Sequence, residues 1–508
     1  MSIWLFSSAL VFIAFSLRKY VQTDFRNAVR FLLTGAFLLR IAAAMLDTFL
    51  HDWDEKFHAL VAKNMMADPF TPMLRAHPVL PYDYTAWCCN HIWVHKQPLF
   101  MWQMALSMKI FGVNELAIRS PSVLLSTAMV WCVYRIALIW TKQQDTGYIA
   151  ALLSACAFYQ IELTSGLLSL DHNDLVFTAY VTGSIWAFCE YVEQRSWRWV
   201  LLTGIMAGCA ILVKWLTGLL VFGGWGLWLF LQKPNRMLLK KYRDLFIAIA
   251  VSAAIALPWQ LYILAAFPKE SAYEYGYNYA HITSTLGAYV SEGWTFHFNQ
   301  WPEQYGKILL PLLLIGLLLL FRSEGWKSKL TVPMLAMAMV VYVFFSFLVQ
   351  TKMPAFVYIV CPILLSIIAM GARRLLAILD RFSLNKRWMH VPVLLILMLN
   401  ALQPWAMRKY RNPDDKERNA KIHNTHIFKN LNSVPPDYLV FNCKSFEDVD
   451  LMFYSNYNAH SWCPSKEQVN SLLQAGYKIA VFQAHKGKKL PDYIESDTRL
   501  LFIKEEME

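Results

Sequence analysis

Hydrophobic residues in this chain come in long uninterrupted runs, not in the short alternating or three-four spaced patterns of a soluble domain. Ile3–Leu17, Leu245–Phe267 and Val332–Val349 contain no charged residue and approach the about 17–25 residues a helix needs to cross a bilayer. Read in order, the runs predict about twelve helices, near 3–17, 31–50, 121–140, 147–163, 172–191, 198–213, 215–232, 245–266, 307–321, 332–349, 355–370 and 389–404. Pro121, Pro258 and Pro354 fall at expected ends or kinks, where a membrane helix tolerates proline. The pattern is that of an α-helical polytopic membrane protein.

The loops between these runs give an orientation. One alternating set carries 21 Lys and Arg in short connections, from Arg18 and Lys19 to Lys386 and Arg387, whereas the opposite set is longer and holds about ten. Basic short loops stay cytoplasmic, which sends 51–120, 164–171, 267–306, 350–354 and everything after 404 outward. Two of these outer segments, 51–120 and 267–306, are too long to be connectors, and long loops are more often functional than structural. The first contains an amphipathic piece, Pro98–Val113, suited to the interface plane; the second is rich in Tyr, Trp and Phe.

Beyond residue 404 the periodicity changes. Helix-like Asp415–Leu431 and Ser465–Gln474 are interleaved with strand-like Tyr438–Asn442, Lys478–Gln483 and Thr498–Ile503. That alternation predicts a small extracytoplasmic α/β domain over 405–508, following a transmembrane domain over 1–404. The N-terminal run has no basic residue before Ile3, so it reads as a retained helix and not a secretory leader.

Composition agrees with this reading. The chain is 57% hydrophobic and only 16% charged, against about 25% in soluble domains. The net charge of +12 would suit nucleic acid, but the tail is nearly neutral, with 15 basic and 14 acidic residues from 405 onward, so the excess is topological. Nine cysteines show no CxxC or zinc spacing. Cys443 and Cys463 are either a disulfide in an oxidising compartment or two free thiols.

The candidate chemistry falls on the outer side. Asp52-Trp53-Asp54-Glu55 stands where the second predicted helix emerges, and a carboxylate held there can take a proton from an acceptor hydroxyl. An acidic turn that only solvates a helix end is the simpler account. Lys96, Lys352 and the membrane-embedded Arg40 can stabilise a departing phosphate; snorkelling explains the lysines equally, but an arginine inside a membrane helix is costly and marks function by default. Lys214, between two apolar runs, falls in the same class. Asp171 and Asp174 share a helix face, with Asp171 also suited to be an N-cap. Glu292, Trp294 and His297 combine a carboxylate with aromatics fitting a sugar's apolar face, or form part of an interfacial aromatic belt. His51, His58, His77, His91 and His95 crowd the first outer loop without a metal-binding motif.

These residues occur in a recognisable order. Asp54-Glu55, Lys96-Gln97-Pro98-Leu99-Phe100-Met101-Trp102, Lys109-Ile110-Phe111-Gly112-Val113-Asn114-Glu115, Arg119-Ser120-Pro121-Ser122, Leu212-Val213-Lys214, Leu257-Pro258-Trp259, Glu292-Gly293 and Thr351-Lys352-Met353-Pro354 resemble the GT-C lipid-linked-sugar glycosyltransferases, over roughly 30–370. Within that group the likeness is to the aminoarabinose transferases and the protein O-mannosyltransferase-like enzymes of glycosyltransferase family 39. The resemblance implies GT-C architecture, Asp54 as the acceptor-activating residue with Glu55 beside it, Lys96 on the polyprenyl phosphate, Asp171 or Asp174 as a second acid, and Lys352 near the donor. The chain departs at Gln97, where the family often has proline, and the 3–17 helix looks like an addition before the family core.

The expected activity is an inverting transfer of a sugar from a polyprenyl-phosphate donor to a lipid, glycan or protein acceptor, at the outer face of a bacterial inner membrane. No nucleotide-binding fingerprint is present. No cofactor is called for, and a divalent metal is compatible with the chemistry but selected by no pattern. A transporter or flippase of lipid-linked glycans is the alternative; it would show internal repeats and charges spread through the bilayer midplane, neither of which is seen. A non-catalytic assembly protein with a partner-binding tail is the third reading.

Overall fold

In a computed structural model the chain is described at residues 2–86, 90–166, 172–214, 216–232, 239–285, 293–322, 328–381, 386–410, 412–444, 446–483 and 489–508. Two compact units emerge. An apolar unit comprises Met1–Ala44, Lys96–Phe100 and Ser120–Met407, and a polar unit comprises Met45–His95, Met101–Arg119 and Arg408–Glu508.

Among the described residues of the chain, nine helices are long and apolar enough to cross a membrane, and ten if Phe296–Tyr305 and Leu309–Phe321, bent by 109°, form one span. The protein is a multi-pass membrane protein. Three of the twelve expected spans take a different form among the described residues, for local reasons. The run at 147–163 breaks at Cys156 into helices Gln144–Ala155 and Phe158–Ser165. The run at 215–232 starts as a 3-10 turn and yields only the shorter apolar stretch Leu216–Leu231. The run at 307–321 is the second arm of the bent pair.

Close packing in the apolar unit depends on small residues. The helices Leu309–Phe321 and Cys361–Leu379 approach so closely that a Cβ on Gly316 would sit 2.0 Å from the Ile367 carbonyl oxygen, and one on Gly371 2.1 Å from that of Leu312. Membrane helices lack a hydrophobic drive toward each other and associate through such backbone approaches.

The polar unit contains a four-stranded, all-parallel sheet: β1 (Tyr438–Phe441), β2 (Asn458–Ala459), β3 (Lys478–Phe482) and β4 (Leu501–Ile503), in the order β2-β1-β3-β4. Helices Glu447–Tyr454, Lys466–Gln474 and Asp492–Glu495 make the crossovers, as parallel strands require. Ser465 and Gln468 form a reciprocal capping box on the second, and Asp415 caps the preceding helix Lys416–Asn430. Leu439, Phe441, Ile479 and Val481 pack with Val469, Leu472 and Ile494 in one core. Cys443 and Cys463 are both free thiols.

The polar unit is more than the tail. Arg75 Nη2 donates to the Asp448 carboxylate at 3.1 Å and Nη1 to the Ala459 carbonyl, and Val79 and Leu80 pack on the sheet's core. The segment read from sequence as an outer loop at 51–120 thus supplies two helices, Asp54–Met65 and Pro98–Phe111, and part of the α/β fold.

Candidate functional site

The acidic motif does not continue the second helix, which ends at Ala44 and not at 50. It opens a helix of its own, Asp54–Met65. Trp53 separates the two with a backbone at φ 61°, ψ −106°, a conformation that L side chains rarely adopt. Neighbouring positions of the motif therefore face different surroundings.

Glu55 is 1% exposed and fully committed. Arg119 grips it in a fork, Nε to Oε1 at 2.7 Å and Nη2 to Oε2 at 3.1 Å, while the His51 backbone N–H donates to Oε2 at 2.6 Å. Burial alone would raise the Glu55 carboxyl; the Arg119 guanidinium and His51 hold it well below the usual range. Arg119 also donates to the Asp47 and Phe49 carbonyls at 2.7 and 2.8 Å. Both Glu55 oxygens are thus occupied by partners that are themselves buried. Asp52 is tied to Lys56 at 3.1 Å and to Lys421. Asp54 lies half-buried in the first turn, its position set by the helix backbone.

Behind the motif is a buried cluster that sequence reading missed. Lys56 donates to Asp450 Oδ2 at 2.7 Å. Burial would strip Lys56 of its charge, but Asp450, Glu447 and Asp52 more than reverse that and hold it protonated. Burial also lifts the Asp450 carboxyl to about 7, with Lys56 opposing and Glu447 adding to the shift. Arg418 meets Asp47 at 2.8 Å, and Lys429 meets Glu115 at 2.6 Å. The charged residues of the tail gave each partner singly; nothing in their spacing paired residue 56 with 450.

The remaining described candidates lie in the apolar unit. Arg40 is fully buried and gives five hydrogen bonds to neutral acceptors: Ser126 Oγ (2.9 Å), the Ala155, Ser154 and Ala36 carbonyls (3.0, 3.0 and 3.3 Å) and Gln160 Oε1 (3.3 Å). These exhaust a guanidinium's donors and satisfy carbonyls left open where Gln144–Ala155 ends. Arg40 thus ties helix Phe25–Ala44 to the end of Gln144–Ala155. Lys352 likewise spends three donors on the Phe345, Ser346 and Val349 carbonyls at 2.8, 2.8 and 2.5 Å, closing the end of the helix that begins at Thr331. In this arrangement it holds no donor for a phosphate.

Lys214 pairs with Asp174, with the ammonium also 5.5 Å from the Phe356 ring. Trp294 is exposed and stacks on Phe347 at 5.8 Å, and His297 is buried against Phe296 and Phe345. Lys96 is half-buried just before helix Pro98–Phe111. The departure at Gln97 has a partner: its side-chain oxygen accepts from Gln260, which in turn accepts from Tyr275. Asp171 and Glu292 lie outside the described residues. Among the described residues no group of three or more His, Cys, Asp or Glu is placed to hold a metal ion.

Comparison with known proteins bears on this arrangement. Residues 95–262 match the dolichyl-phosphate-mannose-protein mannosyltransferase family. The ArnT crystal structure from Cupriavidus metallidurans bound to undecaprenyl phosphate superposes with a TM-score of 0.60 over 88% of both chains, at 15% identity. The chain has the fold of the GT-C glycosyltransferases. An oligosaccharyltransferase from Archaeoglobus fulgidus shares it, with a TM-score of 0.58 over 85% of this chain and 64% of that one, at 13% identity. In sequence, an undecaprenyl phosphate-alpha-4-amino-4-deoxy-L-arabinose arabinosyl transferase of Pseudomonas aeruginosa (strain LESB58) is 28% identical over half of this chain. The chain spans about half the length (46%) of such curated relatives.

Proposed function

We propose that the protein is a membrane glycosyltransferase that moves a sugar from a polyprenyl-phosphate carrier to an acceptor at the outer face of a bacterial inner membrane. The transmembrane domain over 1–404 would carry the reaction, and the 405–508 domain would face outward. The observation that carries the reading is the helix-anchored Asp54, in a fold shared with a structure holding undecaprenyl phosphate. Its neighbours in the motif are committed to ion pairs, Asp52 with Lys56 and Lys421 and Glu55 with Arg119.

In the reaction, an acceptor oxygen attacks the anomeric carbon and the bond from that carbon to the phosphate oxygen breaks. The electron pair leaves with the polyprenyl phosphate, and the configuration inverts. Asp54 takes the acceptor proton, or positions an acceptor that is already ionised. Lys96 stabilises the charge growing on the leaving phosphate; Arg40 and Lys352 are engaged elsewhere, so it carries that role in this proposal. Lys214 with Asp174, Trp294 and His297 are proposed to bind substrate from the apolar unit. Asp54→Asn should reduce transfer from an undecaprenyl-phosphate sugar to background in detergent, with unchanged folding by near-UV circular dichroism. Full activity in that variant overturns the assignment.

A further inference from the structure

Beside the acidic motif, on the polar unit, lies a hollow of about 210 Å³ floored by two aromatic rings, Trp53 and Phe446. Their centroids are 4.7 Å apart, and Trp53 is half exposed. Both residues have left-handed backbones, φ 61° and 63°, as does Asn442 (φ 60°) in the same β1 loop. Bulky side chains do not adopt such angles without a constraint, and strain of this kind collects at ligand clamps. Here it turns two rings toward one cavity.

The hollow also has a defined place in the fold. Phe446 and Lys444 belong to the loop at the C-terminal end of β1, one of the two strands between which the order β2-β1-β3-β4 reverses. In open parallel sheets the crevice beyond the strand ends at such a reversal is where ligands bind. The walls carry balanced charge, Asp52, Glu417 and Glu447 against Lys56, Lys421 and Lys444, with Glu417 offering acceptors and Lys421 and Lys444 donors. Lys421 gives one proton to Asp52, and Lys444 one to the Glu508 carbonyl at 2.8 Å; each ammonium has two more. Balanced donors and acceptors around an aromatic floor suit a neutral polyhydroxylated ring better than a phosphate or a cation. The volume is below the about 300–1,000 Å³ of drug-sized pockets, which suits one ring.

We infer that the Trp53–Phe446 hollow is a subsite for one neutral sugar ring of the acceptor. The inference rests on the glycosyl-transfer reading and names the class of group that reading left open. It is tested by saturation-transfer NMR on the full chain in detergent, with methyl glycosides of hexoses and N-acetylhexosamines as probes. At least one glycoside should show saturation in the wild type. The signal should fall at least tenfold in Trp53→Ala and Phe446→Ala and persist in Trp53→Tyr. Trp53→Gly removes the ring and relieves the backbone together, so it should abolish the signal without lowering the melting temperature by more than the Phe446→Ala change does. No saturation by any glycoside in the wild type, or wild-type saturation in Trp53→Gly, overturns the inference. Asp54→Asn separates the two claims: it should lose transfer yet keep the Trp53-dependent signal. Transfer surviving in that variant counts against Asp54 as base and leaves the subsite standing.

Discussion

Arg40 and Arg119 are both fully buried, yet the two units hold them by different means. In the apolar unit Arg40 is surrounded by neutral oxygens, three of them backbone carbonyls. In the polar unit Arg119 meets a carboxylate in a fork and then two carbonyls. A guanidinium must fill its donors wherever it is buried, but only the second arrangement adds a counter-charge. The broken helix at Ala155 supplies open carbonyls for the first; the second knits the acidic motif to residues 47–51 and so fixes where Asp54 starts its helix. Burial of a charge therefore marks function less surely than the company it keeps.

The largest expected effect follows from the Arg119 fork. Removing one partner of a buried pair leaves the other charge uncompensated and costs about 3–5 kcal/mol. Arg119→Leu should therefore unfold or loosen the polar unit, read as faster amide exchange over 54–65. Replacing both partners, Arg119→Leu with Glu55→Leu, should recover most of that loss. Exchange as fast in the double variant as in the single would show that the pair contributes more than mutual neutralisation, and would sharpen the contrast with Arg40.

A smaller effect is expected where the apolar unit depends on shape instead of charge. A methyl at Gly371 meets the Leu312 carbonyl oxygen at 2.1 Å, and a clash with backbone cannot be relieved by a side-chain rotation. Gly371→Ala should cost about 1–3 kcal/mol, seen as a lower midpoint of thermal inactivation in detergent. An unchanged midpoint would mean that these helices separate without loss. That would break the comparison from the other side.

The same contrast explains what was legible in the sequence. Nine expected spans and every expected element of the tail appear near the positions that hydrophobic periodicity gave, because bilayer length and helix or strand period are local properties. The break at Cys156 was not legible, since Arg40 compensates for it from 115 residues away. Nor was the role of 51–95, whose contribution to the α/β fold runs through Arg75 and Asp448, 373 residues apart. Ordered motifs single out Asp54 and Lys96 as candidates. The saturation of Glu55, Arg40 and Lys352 was not legible, because it depends on who donates to whom in space.

The smallest effect concerns the acids around Lys56. Asp450 faces Lys56 from the Asp54–Met65 helix, Glu447 from its own helix and Asp52 from the turn before residue 54; Lys421 and Lys444 act on Glu447. These groups titrate as a set, but the direction for Asp450 is upward, from 3.8 to about 7. A raised folded-state value means that the folded protein binds the proton more tightly than the unfolded chain. Its stabilisation is present below about pH 4 and is lost as pH rises through 7. Glu55 works in the opposite sense: depressed in the fold, it stabilises above its ordinary value of 4.5 and loses that contribution only as pH falls through its lower folded value. Between pH 5 and 8 the slope from this cluster should therefore be negative. Asp450→Asn removes the titrating group while keeping a side chain that can accept from Lys56. Local opening of residues 447–459, measured by amide exchange corrected for intrinsic rates, should become easier by about 1 kcal/mol in the wild type between pH 5 and 8. The Asn variant should show less than half of that change. Equal slopes in the two proteins would place the proton on Glu447 instead, and Glu447→Gln would then be the variant that flattens the profile.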